Sequence, residues 1–264
     1  MVLRGIRIAE SRVRFSLGPP LGDMETKLKK IFTAILLAAM VVFTTFYFIS
    51  TDNNPATRAV AKMAIGLIIS WVLVGGFLMY KFREGVRSFV LKIPGGWKTK
   101  FVIFAVILAL IEEMITVTMT NLAPFFGVKI GEAYITASTN YFDVILFHSV
   151  LVFIPLFIGV AFLLKRYQFS PFAVFILFGI LGTLLESIYS GNLATLTIFY
   201  QWIFVYGLMV YLPAYSVPQD RGARPVRFWH YIIAIPYVFL LALPMVIAIV
   251  FVVTGILHHP NIHF

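Results

Sequence analysis

The sequence predicts an all-α polytopic membrane protein, a helix bundle of about seven transmembrane helices with its N-terminus cytoplasmic and its C-terminus external. Three observations carry this. Hydrophobic residues fill 61% of the 264 positions and charged residues 12%, with a mean hydropathy of +0.95, far from the mix of a soluble domain. Apolar runs of about 18 residues or more recur along the whole chain, each long enough for a hydrocarbon core of roughly 30 Å. Lys and Arg also fall into two unequal groups once those runs are threaded back and forth.

In chain order, residues 1–30 form a basic cytoplasmic segment. Within it IRI and RVRFSL alternate as a small hairpin would, while a disordered basic tail, or a true start at Met24 ahead of a signal-anchor-like METKLKKIF, fits as well. A single transmembrane domain, 31–257, follows, with spans near 31–50, 59–80, 101–121, 142–164, 170–190, 193–215 and 228–257. The last span is long and contains Pro236 and Pro244, which favours a tilt or a kink. Between the second and third spans, Phe82, Val86, Phe89, Val90 and Ile93 share one helical face and Arg83, Arg87 and Lys92 lie away from it, predicting an interfacial helix over 82–93 on anionic headgroups. The apolar loop 122–141 reads either as a lid or re-entrant segment, or as a loop packed on the mouth of the bundle. Residues 258–264 form an external tail.

Seven spans put the termini on opposite sides. One side holds seven basic residues in the N-terminal segment, six in 81–100, Lys165 and Arg166, and Arg221, Arg224 and Arg227; the other holds only Arg58, Lys62 and Lys129. The positive-inside rule makes the first side cytoplasmic and predicts a multi-pass protein of the plasma membrane. It also accounts for the net charge of +10 without nucleic acid as a partner. The oligomeric state is left open. With no cysteine, the chain offers no disulfide, thiolate metal site or Cys nucleophile.

Polar residues inside the spans point to function, because a carboxylate at the bilayer centre costs at least ~2.5–3.5 kcal/mol unless protein or water compensates. At 1.5 Å per residue, Glu112 and Glu113 lie roughly 17–20 Å from the cytoplasmic end of the third span. Glu186 lies some 24 Å into the fifth span and His148 about 9 Å from the external end of the fourth. All four belong near the external half. Glu113 shares a stripe with Thr116 and Thr120, and Glu112 is about 100° round the helix. Gly179, Gly182, Thr183, Glu186 and Ser190 form a small-residue stripe that brings a neighbouring helix close and carries Glu186 into that contact. Asn121, Asn140, Asp143 and Asn192 stand at external span ends, and Thr197 and Gln201 add polarity from the sixth span.

Adjacent carboxylates in a low dielectric do not both ionise easily, which suits general acid–base work or proton carriage. The expected catalytic group is Glu113, Glu112, His148 and Glu186, with Thr116, Thr120, Asn121, Asn192 and Gln201 toward a substrate. Glu113, His148 and Glu186 are also a candidate ligand set for a divalent metal such as zinc, although no HExxH-type spacing is present. His258, His259 and His263 offer imidazoles in the tail, where a plain polar tail is the simpler reading. His230 beside Trp229 and Tyr231 reads as an interfacial belt, and Tyr200, Trp202, Tyr206 and Tyr211 as packing or lipid-facing aromatics with stacking on a ligand as the alternative.

A Glu–Glu pair in a membrane helix, preceded by an amphipathic segment and followed by a histidine in the next span, resembles the CAAX-protease and bacteriocin-processing family of intramembrane endopeptidases over about residues 82–192. The resemblance implies peptide hydrolysis by a water that glutamate and histidine activate. Val117 stands where that family has Arg, Val144 stands four before His148 where it has Phe, and its third motif, HxxxN, is absent. Three functions are therefore expected: a membrane-embedded hydrolase or transferase acting on a peptide or lipid, a proton- or cation-coupled carrier, and a non-catalytic subunit whose polar groups bind helices together.

Overall fold

The computed structural model describes residues 21–50, 53–191 and 193–260. The possible hairpin in the N-terminal segment, Asn192 and His263 lie outside the described residues. Among the described residues the protein is helical without strands, and seven helices are long and apolar enough to cross a membrane. The elements are α1 (Leu21–Ser50), α2 (Pro55–Lys92), α3 (Trp97–Asn121), α4 (Tyr141–Phe147), α5 (Ser149–Arg166), α6 (Pro171–Ser190), α7 (Phe199–Tyr215) and α8 (Phe228–Ile256).

Local chemistry sets the helix starts and stops. α2 begins with Pro55 at its first position, and the Asn54 side chain accepts from the Thr57 amide; α6 begins in the same way with Ser170, Pro171 and the Ala173 amide. α2 ends at Lys92 because Pro94 follows Ile93, which turns extended at ψ 132°. Gly191, at φ +62°, closes α6 in the left-handed conformation that glycine adopts without steric cost.

Two spans differ from the sequence reading. The segment expected as a separate interfacial helix over 82–93 is the end of α2, whose 38 residues run on from the apolar part with no proline to break them. At 1.5 Å per residue that is about 57 Å, longer than the hydrocarbon is thick, so the basic last turns extend past it. The span drawn over 142–164 is two helices, α4 and α5. Between them His148 takes φ −123°, ψ −109°, a non-helical conformation that ends the first ladder and starts the second.

The bundle is built around α7, 61% of whose apolar window is buried, against 11% for α1 and for α8. Trp71, in a stretch of α2 wound as a π-helix, donates from Nε1 to the Val205 carbonyl at 3.0 Å and is buried there. Along α1 and α8, Phe43, Phe46, Ile232, Leu240 and Ile247 are exposed, as suits side chains whose solvent is lipid rather than water.

The small-residue stripe on α6 meets α7. An added Cβ would come within 2.6 Å of Ile203 Cα at Gly179 and within 2.2 Å of the Tyr206 ring at Gly182. The two helices are therefore as close as backbone permits. Gly182→Ala should lower the thermal stability of the detergent-solubilised protein by about 1–3 kcal/mol through overpacking. Gly85→Ala, where a Cβ meets nothing within 4 Å, should instead raise it by roughly 0.5–1 kcal/mol. Paired melting curves check the contrast.

Candidate functional site

Glu113 is the node of the polar end of the bundle. Its side chain is buried, and its Oε2 accepts from Thr116 Oγ1 at 3.0 Å and from Thr136 Oγ1 at 3.3 Å; Ser149 lies near enough to act on it electrostatically. Thr116 lies one turn along α3, Thr136 in the loop 122–140, and Ser149 opens α5 immediately after the break at His148. One carboxylate thus ties the loop to α3. This is how a group that water cannot reach obtains hydrogen bonds.

The loop reaches this depth through other α3 residues. The Ile135 amide donates to Thr120 Oγ1 at 3.3 Å, and Asn121 Nδ2 donates to the Val117 carbonyl at 3.0 Å and the Thr139 carbonyl at 2.9 Å. Tyr141 Oη donates to the Leu110 carbonyl at 2.9 Å, almost three turns back from the end of α3. Burial, and after it the nearby Glu113 carboxylate, raises the Tyr141 phenol above its ordinary value, so it stays a donor at neutral pH. The loop folds down against the bundle rather than standing clear of it.

These bonds change two expected roles. Asn121 spends both amide hydrogens on backbone carbonyls, so it anchors the loop instead of offering a donor to a substrate. Thr120, fully buried, accepts from the loop and serves the same purpose. Thr116 is committed to Glu113. Gln201 is half-buried in the first turn of α7.

The other two carboxylates converge on Glu113. Glu112 is buried within electrostatic range of Glu113 and Glu186, and Glu186 is likewise within range of Glu113. Where the α6 glycines meet α7, Tyr206 Oη donates to Glu186 Oε1. The Tyr206 ring stacks on Trp202, with centroids 5.5 Å apart, and meets Phe153 edge-on at 5.6 Å. Sequence reasoning took Tyr206 for a packing aromatic. Its position four residues after Trp202 shows nothing of the carboxylate it serves.

His148 is placed differently from expectation. Its Nε2 lies 3.7 Å from Asp143 Oδ2, and His259 Nε2 lies 2.7 Å from Asp143 Oδ1. Ligand atoms of Asp143, His148 and His259 all fall within 4.8 Å of one another, and among the described residues this is the one His/Asp/Glu group with metal-like spacing. Glu113, His148 and Glu186, the set expected from sequence, do not share it, because the break at His148 turns the imidazole toward α4 and the tail while Ser149 faces Glu113.

Two shallow grooves, neither with room for more than about one water, lie elsewhere. One is lined by Val90, Lys100, Pro213 and neighbours, the other by apolar residues of α5, α6 and α8, and neither touches the carboxylates.

Fold and site together define a multi-pass α-helical membrane protein with a cluster of buried acidic groups at one end of its bundle. Compared with known protein families, curated proteins and solved structures, the chain has no match.

Tyr206→Phe and Glu186→Leu should each lower stability by about 1–3 kcal/mol, since each removes one side of the Tyr206–Glu186 hydrogen bond. The double variant should lose less than the sum, with a coupling of roughly 0.5–3 kcal/mol in a thermal-unfolding cycle.

Proposed function

We propose that the protein is a membrane-embedded hydrolase of the plasma membrane, acting on a peptide or lipid in the external half of the bilayer, with Glu113 as general base. The carrying observation is a buried carboxylate oriented by hydroxyls from its own helix and from the loop, with Glu112 and Glu186 in electrostatic range. Three carboxylates in a low dielectric do not all ionise, so the cluster contains both a proton acceptor and a proton donor. Glu113 takes a proton from water as the water oxygen bonds to the scissile carbonyl carbon. A protonated Glu112 or Glu186 then returns a proton to the leaving amine or alcohol as the carbon–heteroatom bond breaks. Thr136 and the rest of the loop move aside to admit the substrate, and the basic end of α2 rests on anionic headgroups.

A proton- or cation-coupled carrier is the second reading, favoured by the helix break at His148, since interrupted helices mark transporter sites. Against it, the buried polar side chains among the described residues gather toward the loop end, apart from Ser216, which leaves the other half of the core apolar.

Glu113→Gln should preserve expression and the melting profile while lowering cleavage of fluorogenic lipid esters or peptides in proteoliposomes by at least about 10²-fold. Loss of folding would support a scaffold instead, and loss of proton-driven uptake a carrier. Orientation is checked in a chain free of native cysteine. Lys129→Cys should react with an impermeant maleimide on intact cells, and Lys92→Cys only after permeabilisation; the reverse pattern would move the site to the cytoplasmic leaflet.

A further inference from the structure

The geometry points to a second site: Asp143, His148 and His259 bind a divalent first-row transition metal, and in doing so fasten the end of α8 to the helix break between α4 and α5. The site is complete without the carboxylate cluster and does not rest on the hydrolase reading.

The first support is the donor set. Two imidazoles and one carboxylate, with side chains 7%, 18% and 8% exposed, come from three separate places in the chain. The liganding atoms, all within 4.8 Å of one another, need draw in by less than about 1 Å to share an ion with bonds near 2.0–2.2 Å. Imidazole nitrogen excludes the oxygen-seeking Ca²⁺ and Mg²⁺ and favours zinc or its neighbours. Three protein ligands also leave a coordination position for water.

The second support is the proton inventory of His259. Its Nδ1 is 2.9 Å from the Pro260 carbonyl oxygen, which only accepts, so Nδ1 carries a proton. In a neutral ring Nε2 is then a bare lone pair, and it faces Asp143 Oδ1, itself an acceptor, at 2.7 Å. Two acceptors hold that separation only with a cation between them, a second proton or a metal ion. A carbonyl that fixes the tautomer from behind is the arrangement of a metal-bound histidine. Asp143 Oδ2, buried, accepts no hydrogen bond among the described residues and lies on the His148 side.

The third is the backbone that presents these groups. His148 leaves helical geometry, and His258, at φ +51°, turns the chain through the left-handed region that a non-glycine residue seldom enters. That turn follows the π-wound end of α8 and delivers His259 back over the bundle, its ring stacked on Phe147 at 4.5 Å and edge-on to His148 at 5.1 Å. The tail histidines thus divide: His259 is turned in, and His258 makes the turn.

The test is zinc binding by the full-length protein in lipid nanodiscs, read by elemental analysis after dialysis and by competition with a chromogenic chelator. One Zn²⁺ per chain is expected, and chelation should lower the melting temperature. His259→Ala and Asp143→Asn should each weaken binding at least about 10–100-fold, what loss of a mere supporting residue costs. His258→Gly, which removes the imidazole and keeps the left-handed turn, should bind as the parent does. Elution profiles and melting in the metal-free state separate a lost ligand from a lost fold. Less than stoichiometric zinc in the parent, parental affinity in Asp143→Asn, or equal losses in His258→Gly and His259→Ala would each overturn the site, the last by showing adventitious binding to the tail.

Discussion

A carboxylate enclosed in a membrane bundle takes its hydrogen bonds from protein or not at all, and the polar end of this protein is arranged around that constraint. Glu113 cannot draw its partners from its own helix beyond Thr116, one turn away. The other comes from outside: Thr136, from a loop that folds down against the bundle. Leaving a buried acceptor unpaired costs on the order of 1–3 kcal/mol and more for a charge, so the loop is held in place by the group it satisfies. Thr120, Asn121 and Tyr141 extend the attachment, which makes the loop part of the core rather than a surface connection.

Close packing supplies the other half. Glycines at 179 and 182 let α6 and α7 approach until Glu186 meets Tyr206 across the seam. The same proximity puts Glu186 within range of Glu112 and Glu113, so a packing feature of one helix pair becomes an electrostatic feature of the site. A metal at Asp143, His148 and His259 would secure the third side, where α8 ends beside the break. Loop, glycine seam and tail close around the carboxylates from different directions.

Much of this was legible in the sequence because membrane insertion imposes strong, simple patterns. Length and hydropathy mark the helices, and the cost of buried charge singles out Glu112, Glu113 and Glu186. The glycine spacing on α6 announced a close neighbour without saying which helix it was, since periodicity describes one helix at a time. His148 was out of reach for another reason. Nothing around it breaks a helix by type, with Phe147 before it and Ser149 after, and the imidazole meets Asp143 on one side and the His259 ring from the tail on the other, contacts that no local pattern encodes. Donors 20 or more residues away, Thr136 to Glu113 and Tyr206 to Glu186, are invisible to spacing rules for the same reason.

The central claim is that the loop enters the bundle and meets α3 at Glu113. Thr116 and Thr136 donate to the same Glu113 oxygen, at 3.0 and 3.3 Å, so their hydroxyls are within the reach of one short crosslink. The direct measurement is crosslinking of Thr116→Cys with Thr136→Cys, in a chain that has no other cysteine, by oxidation or a short membrane-permeant bis-thiosulfonate in native membranes. The account predicts efficient intramolecular crosslinking, with the pair then protected from maleimide. Single-cysteine chains that react readily while the double variant does not crosslink would place the loop outside the bundle and contradict it.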